Sequence, residues 1–110
     1  MKRSKRQRLE AGGWKVGSCQ EFLRLTDEET ALIEIRIAMA RSLRERRLAL
    51  ALTQQELADR LGSSQSRVAK IEAADATVSI DLFVRSLLKL GATRQQIGRI
   101  IGRKPAAPAA

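Results

Sequence analysis

The 110-residue chain contains no histidine and no tyrosine, and it has one cysteine. Without histidine, the commonest general base of neutral-pH catalysis is missing. With Cys19 alone, no intramolecular disulfide can close and no Cys/His zinc site can be assembled within one chain. The HExxH, GxxxxGKS/T and GxGxxG patterns do not occur either. The chain is therefore read as a non-enzyme that takes no cofactor and no metal. Aromatic residues make up 3% of the chain, as Trp14, Phe22 and Phe83. The core must then be built mainly from Leu, Ile, Val and Ala, which favours packed helices over a sandwich, because strands prefer β-branched and aromatic residues in alternation. The same scarcity argues against single-stranded RNA, whose bases stack on exposed rings. No run approaches the roughly 20 apolar residues that span a bilayer. The basic opening MKRSKRQR has no apolar segment of a secretory signal behind it. The expectation is a cytoplasmic protein with no membrane association.

Positive charge is what the chain has in excess. The formal net charge is +9 and the isoelectric point about 11.0, which argues for attraction to polyanions and not for any particular fold. Placement refines this. Lys2, Arg3, Lys5, Arg6, Arg8 and Lys15 crowd one end and Arg103 and Lys104 the other, so the centre is only moderately basic. Three organisational segments follow: a basic arm and docking extension over 1–25, a helical domain over 26–102, and a Pro/Ala-rich disordered tail over 103–110. Trp14, Val16 and Phe22 are read as core or subunit packing and Cys19 as a small, partly buried residue. The arm is either solubilising or tracks DNA.

Within the helical domain the apolar spacing and cap residues predict five helices. Thr26 and Glu29 form a capping box for the first, which runs to about Ala49 with Leu32, Ile35, Met39 and Leu43 in one row. That start also accounts for the acidic run Asp27, Glu28 and Glu29. Thr53 and Glu56 start the second, which ends at Gly62. Ser63 or Ser64 caps the third, with Val68 and Ile71 inward. Ser79 caps the fourth, whose apolar members are Ile80, Phe83, Val84, Leu87 and Leu88, and Gly91 stops it. Thr93 through Ile101 is the fifth, carrying Ile97, Ile100 and Ile101. The expected class is all-α.

The pair LTQQELADRLGSSQSRVAKIE, positions 52–72, carries the functional signal. In a helix-turn-helix the second helix lies in the major groove with its N-terminal residues toward base edges. Those residues here are Ser64, Gln65, Ser66 and Arg67. Gln pairs bidentately with adenine N6/N7 and Arg with guanine O6/N7, while Ser suits several bases. Gln65, Ser66, Arg67 and Lys70 are the candidate base contacts. Gln54 and Arg60 on the preceding helix, with Ser64, are the candidate phosphate contacts. The bland alternative for all of them is a solvated helix face.

This stretch resembles the phage-repressor-like (XRE, Cro-type) helix-turn-helix DNA-binding proteins. The resemblance rests on Thr53-Gln54, Leu57-Ala58, Gly62, Ser64-Gln65, Val68 and Ile71-Glu72, and it extends from roughly Arg36 to Leu90. It implies a five-helix repressor-like domain, with the helix-turn-helix over 53–73, and double-stranded DNA as the partner. The operator would be palindromic and the protein a homodimer, joined through residues 14–25 or the exposed parts of helices four and five. It also implies a structural ion pair between Arg47 and Glu72. Two departures stand out. Ala73-Ala74-Asp75 replaces the Asn-Gly turn common in the family, which puts phosphate contacts from that loop in doubt. The long N-terminal extension resembles the antitoxins encoded beside ribosome-dependent RNA-cleaving toxins, and implies a toxin as a second partner. The alternative from another class is a protein–protein adaptor with only non-specific DNA attraction.

Overall fold

The computed structural model describes residues 24–103. The basic arm, Trp14, Val16, Cys19, Phe22 and the tail from Lys104 lie outside the described residues. What is described divides into two units, 24–34 and 35–103. Five helices follow one another: α1 (Asp27–Ala49), α2 (Gln54–Leu61), α3 (Gln65–Glu72), α4 (Ile80–Lys89) and α5 (Arg94–Gly102). Among the described residues there is no strand, and the described part of the chain is all-α.

The helix starts are written in side chains that satisfy otherwise orphaned amides. In the unit 24–34, the Glu29 amide donates to Thr26 Oγ1 at 3.1 Å and the Thr26 amide to Glu29 Oε1 at 3.0 Å. Thr53 and Glu56 repeat this reciprocal box at α2, and Thr93 and Gln96 at α5. Ser64 and Ser79 each accept one amide, from Arg67 and Leu82, and so start α3 and α4. The backbone amide of Thr53, and then its hydroxyl, hold the Glu56 carboxyl below its ordinary pKa. The link this makes with folding is present at neutral pH and fades as acid protonates the carboxylate.

The unit 35–103 is organised around one core. Met39 and Leu43 of α1, Leu57 of α2, Val68 and Ile71 of α3, and Phe83 and Leu87 of α4 are fully buried, with Ile97 and Ile100 of α5 beside them. Two polar ties add to it: an Arg36 Nη1 donates to the Val78 carbonyl, and Arg46 Nη2 to Gln96 Oε1 at 2.8 Å. Ser86, also in the interior, donates to the Leu82 carbonyl one turn earlier at 2.7 Å.

Three apolar residues expected in the core are instead exposed: Leu32 at 47%, Leu88 at 46% and Ile101 at 39%. Leu88 and Ile101 each follow a buried residue by one position, about 100° around a helix of 3.6 residues per turn. That step carries them past the edge of the buried arc. Leu32 belongs to the unit 24–34, before the core packing of α1 begins at Ile35.

Two tight turns place alanine in the left-handed region, at Ala51 (φ 56°) and Ala74 (φ 54°). Ala74 lies in the Ala73-Ala74-Asp75 segment that stands in place of an Asn-Gly turn, and it takes the left-handed conformation without being glycine. A left-handed conformation costs a non-glycine residue roughly 1–2 kcal/mol. Ala51 is exposed, so its methyl contributes little packing. Ala51→Gly is accordingly expected to stabilise the domain by about 0.5–1 kcal/mol once the larger chain entropy of glycine is subtracted. A rise in the urea midpoint at unchanged slope is the result that bears this out; no rise means the turn holds no recoverable strain.

Candidate nucleic-acid interface

α2 and α3 are joined at Gly62, Ser63 and Ser64. Gly62 closes α2 with φ +66°, and the Ser63 amide returns to the Ala58 carbonyl at 2.8 Å. A Cβ at Gly62 would meet nothing within 4 Å, so the demand for glycine there is one of backbone angle alone. Of the two serines considered as the cap of α3, Ser64 takes the role. Burial of Val68 and Ile71 then sets how α3 is rolled about its axis. Gln65, Ser66, Arg67 and Lys70 fall on the opposite arc and are all exposed. The four expected base contacts thus share one accessible surface. The side chains of Arg67 and Lys70 make no hydrogen bond or ion pair among the described residues, which leaves their donors available.

The expected phosphate contacts are placed differently from one another. Arg60 is exposed on α2. Ser64 is exposed, but its hydroxyl already accepts the Arg67 amide and lies 3.2 Å from Ser66 Oγ. Gln54 is half-buried and engaged at both ends of its amide. Its Nε2 donates to Glu72 Oε1 at 3.3 Å, and its Oε1 accepts from Gln65 Nε2 at 2.9 Å.

Glu72 is also where the expected ion pair forms. Arg47 Nε donates to Glu72 Oε2 at 2.6 Å and Nη2 to Oε1 at 3.0 Å, while Nη1 donates to the Leu52 carbonyl at 2.8 Å. Both side chains are largely buried, at 11% and 5% exposure. The hydrogen bonds to Glu72 raise the Arg47 guanidinium above its ordinary pKa, against the desolvation that lowers it. This pair bolts the end of α1 to the end of α3, so the exposed face of α3 is carried on a fixed support.

A polar groove of about 380 Å³ runs beside that face, lined by Ser64, Ser66, Arg67 and Lys70 on one side and by Thr77, Val78, Ser79 and Leu82 on the other. Thr77 and Ser79 were not among the residues expected at the interface. The signal for Thr77 was the Asp-x-Thr spacing, and that for Ser79 its place as the cap of α4. The Asp75 carboxylate accepts the Thr77 amide at 2.9 Å and the Thr77 hydroxyl at 2.7 Å. One oxygen of the Asp75 carboxylate is thus directed into this turn.

A family model for the helix-turn-helix matches residues 43–97, half of the chain. The chain belongs to the XRE-type helix-turn-helix family. The match begins later in α1 than the expected Arg36 and reaches into α5, so it includes both partners of the Arg47–Glu72 pair and the cap of α5. As a member of this family the protein is a DNA-binding transcription regulator, and its partner is double-stranded DNA. No curated protein and no solved structure matches the chain. Among the described residues no helix is long and apolar enough to cross a membrane, and no group of His, Cys, Asp and Glu could hold a metal ion.

Proposed function

We propose that the protein is a homodimeric repressor that reads a palindromic operator of its own operon. Gln65, Ser66, Arg67 and Lys70 contact base edges in the major groove. Arg60, Ser64 and the remaining N–H of Gln54 contact phosphates. The observation that carries this reading is the exposure of one polar arc on α3, whose other arc is locked in the core. Two copies of α3 then enter successive major grooves on one face of the duplex, about 34–36 Å apart. A dimer seated across a promoter excludes polymerase. Exposed Leu88 and Ile101 support a subunit contact through α4 and α5. The reading assigns the protein no catalytic step. The extension over 1–25, with Trp14 and Phe22, supports a second role in which the protein also captures a toxin made beside it.

The test is selection from a random duplex library at roughly 150 mM salt, near physiological ionic strength, with wild type and Arg67→Ala side by side. Enrichment of a palindrome is expected from the wild type. Arg67→Ala should cost about 1–3 kcal/mol at one base pair of each half-site and little elsewhere. Equal loss on every duplex removes Arg67 from base reading. Failure of the folded wild type to enrich any sequence favours the adaptor, whose attraction to DNA is weak and salt-sensitive.

A further inference from the structure

We infer that Arg36, which lies outside the segment matched to the family, positions the turn between α3 and α4 against the backbone of bound DNA. The inference rests on the reading of α3 as the helix in the major groove. It starts from the stripe that α1 turns inward. Met39, Ala40 and Leu43 are buried there, and Arg36 and Arg47 stand at the two ends of the same stripe at helical spacing. Arg47 reaches Glu72, the last residue of α3. Arg36, half-buried, donates through Nη1 to the carbonyl of Val78, just before the Ser79 cap of α4. The turn between α3 and α4 is therefore held at both ends from one helix, at points about 16 Å apart along its axis.

The Arg47 anchor falls inside the matched residues 43–97, whereas the Arg36 anchor comes from the part of α1 that precedes them. It suits a turn whose own residues are poorly adapted to it. Ala73-Ala74-Asp75 replaces an Asn-Gly turn, and Ala74 is left-handed without being glycine. The Asp75 carboxylate organises the turn from within, by accepting the amide and the hydroxyl of Thr77. Arg36 adds a hold from outside. A bond to a main-chain carbonyl asks nothing of the side chains in the turn.

What this hold fixes is one wall of the groove beside α3. Thr77 and Ser79, on either side of Val78, lie across that groove from Arg67 and Lys70. With α3 in the major groove, the sugar–phosphate backbone that borders it runs along this wall. Ser79 is exposed; its oxygen accepts the Leu82 amide, and its hydroxyl proton is left for a phosphate oxygen. The Thr77 proton is already given to Asp75. Arg36 is thus a positioning residue that does not itself touch DNA, and the contact it positions is one phosphate at Ser79.

The experiment uses the full chain and the duplex selected by the wild type, with phosphates ethylated singly and binding scored for each. Ser79→Gly removes the hydroxyl while leaving α4 nearly as well capped. It identifies the phosphate at Ser79 as the one whose ethylation ceases to matter. Arg36→Met keeps an apolar stem and loses every donor, and its folding is followed by circular dichroism. Arg36→Gln, whose side chain ends two bonds short of Nη1, decides the matter if Arg36→Met does not fold.

The folded Arg36 variant should bind the duplex about tenfold less tightly, the scale of one hydrogen bond to a charged group. It should also lose sensitivity at the Ser79 phosphate. Sensitivities at the other phosphates, and the base preferences, should keep their order, which a merely structural role would not achieve. Adding Ser79→Gly to the Arg36 variant should then bring little further loss. The inference is overturned if the folded variant stays as sensitive at that phosphate as the wild type. It is equally overturned if every phosphate loses sensitivity together, which would make Arg36 a support of the fold alone. If Ser79→Gly changes no phosphate, the wall meets no backbone and the inference falls, while Arg67→Ala still tests base reading separately. If the folded wild type selects no duplex, the reading of α3 itself fails.

Discussion

Replacing Glu72 with alanine should lower the stability of the domain by about 3–5 kcal/mol, and Arg47→Ala should do the same. The magnitude follows from what is left behind. Arg47 is largely buried and makes three hydrogen bonds, two of them to Glu72. Removing the carboxylate leaves a desolvated guanidinium whose only remaining described acceptor is the Leu52 carbonyl. An exposed pair of the same length would contribute only about 0–1 kcal/mol, so urea unfolding separates the two cases cleanly. A loss below about 1 kcal/mol would mean that water reaches the pair. Replacing both partners with apolar side chains of similar volume should return only part of the loss. The Leu52 carbonyl and the Gln54 amide would each lose a partner that such side chains cannot supply. Because Arg47 is raised above its ordinary pKa, its linked contribution is fully present at lower pH and fades only as pH rises through the raised value.

Phe83→Ala is expected to cost about 3–5 kcal/mol as well, by a different route. Phe83 is fully buried on α4 and is the largest of the fully buried side chains among the described residues. The core cluster it belongs to draws on five helices joined by short turns, so it cannot collapse freely into the space left by the ring. The urea midpoint should fall while the slope stays the same. A slope that falls with it would point to a loosened native state instead. Against a total of about 5–15 kcal/mol for a typical domain, either substitution leaves little reserve. Loss of DNA binding in Phe83→Ala or Glu72→Ala therefore carries meaning only where the sample is shown to be folded.

The helices were legible because their starts are chemical. Thr53 with Glu56, and Ser79 before an apolar run, announce an N-terminus locally, and α2 and α4 are capped by those residues. Gly62 announced its stop for a similarly local reason, the positive φ that it adopts. The exposed set on α3 followed once Val68 and Ile71 were assigned inward. Side chains one step beyond a buried position were less legible. Leu88 and Ile101 look as apolar as their neighbours, and only the width of the covered arc decides their fate. The left-handed alanines carried no signal at all, since nothing about Ala51 or Ala74 distinguishes them from helix formers. The Gln54–Gln65 bond was hidden for a related reason. Neutral amides leave no charge pattern, and residues eleven positions apart meet only because the turn brings the helix starts together.

The first turn of α3 mixes two kinds of residue, and they differ in how freely selection can alter them. Arg67 and Lys70 project from an already capped helix and hold nothing else in place. Under the proposed reading, a change there redirects the protein to a new operator with little effect on the fold. Gln65 is tied through Gln54 to the carboxylate that also anchors α1, so under the proposed reading changes along that line alter folding and target choice at once. Related regulators descended from a common copy should therefore diverge first at positions 67 and 70. Sequencing the binding-competent survivors of a library randomised at 54, 65, 67, 70 and 72 would display that asymmetry directly, as broad variation at two positions and linked variation at three.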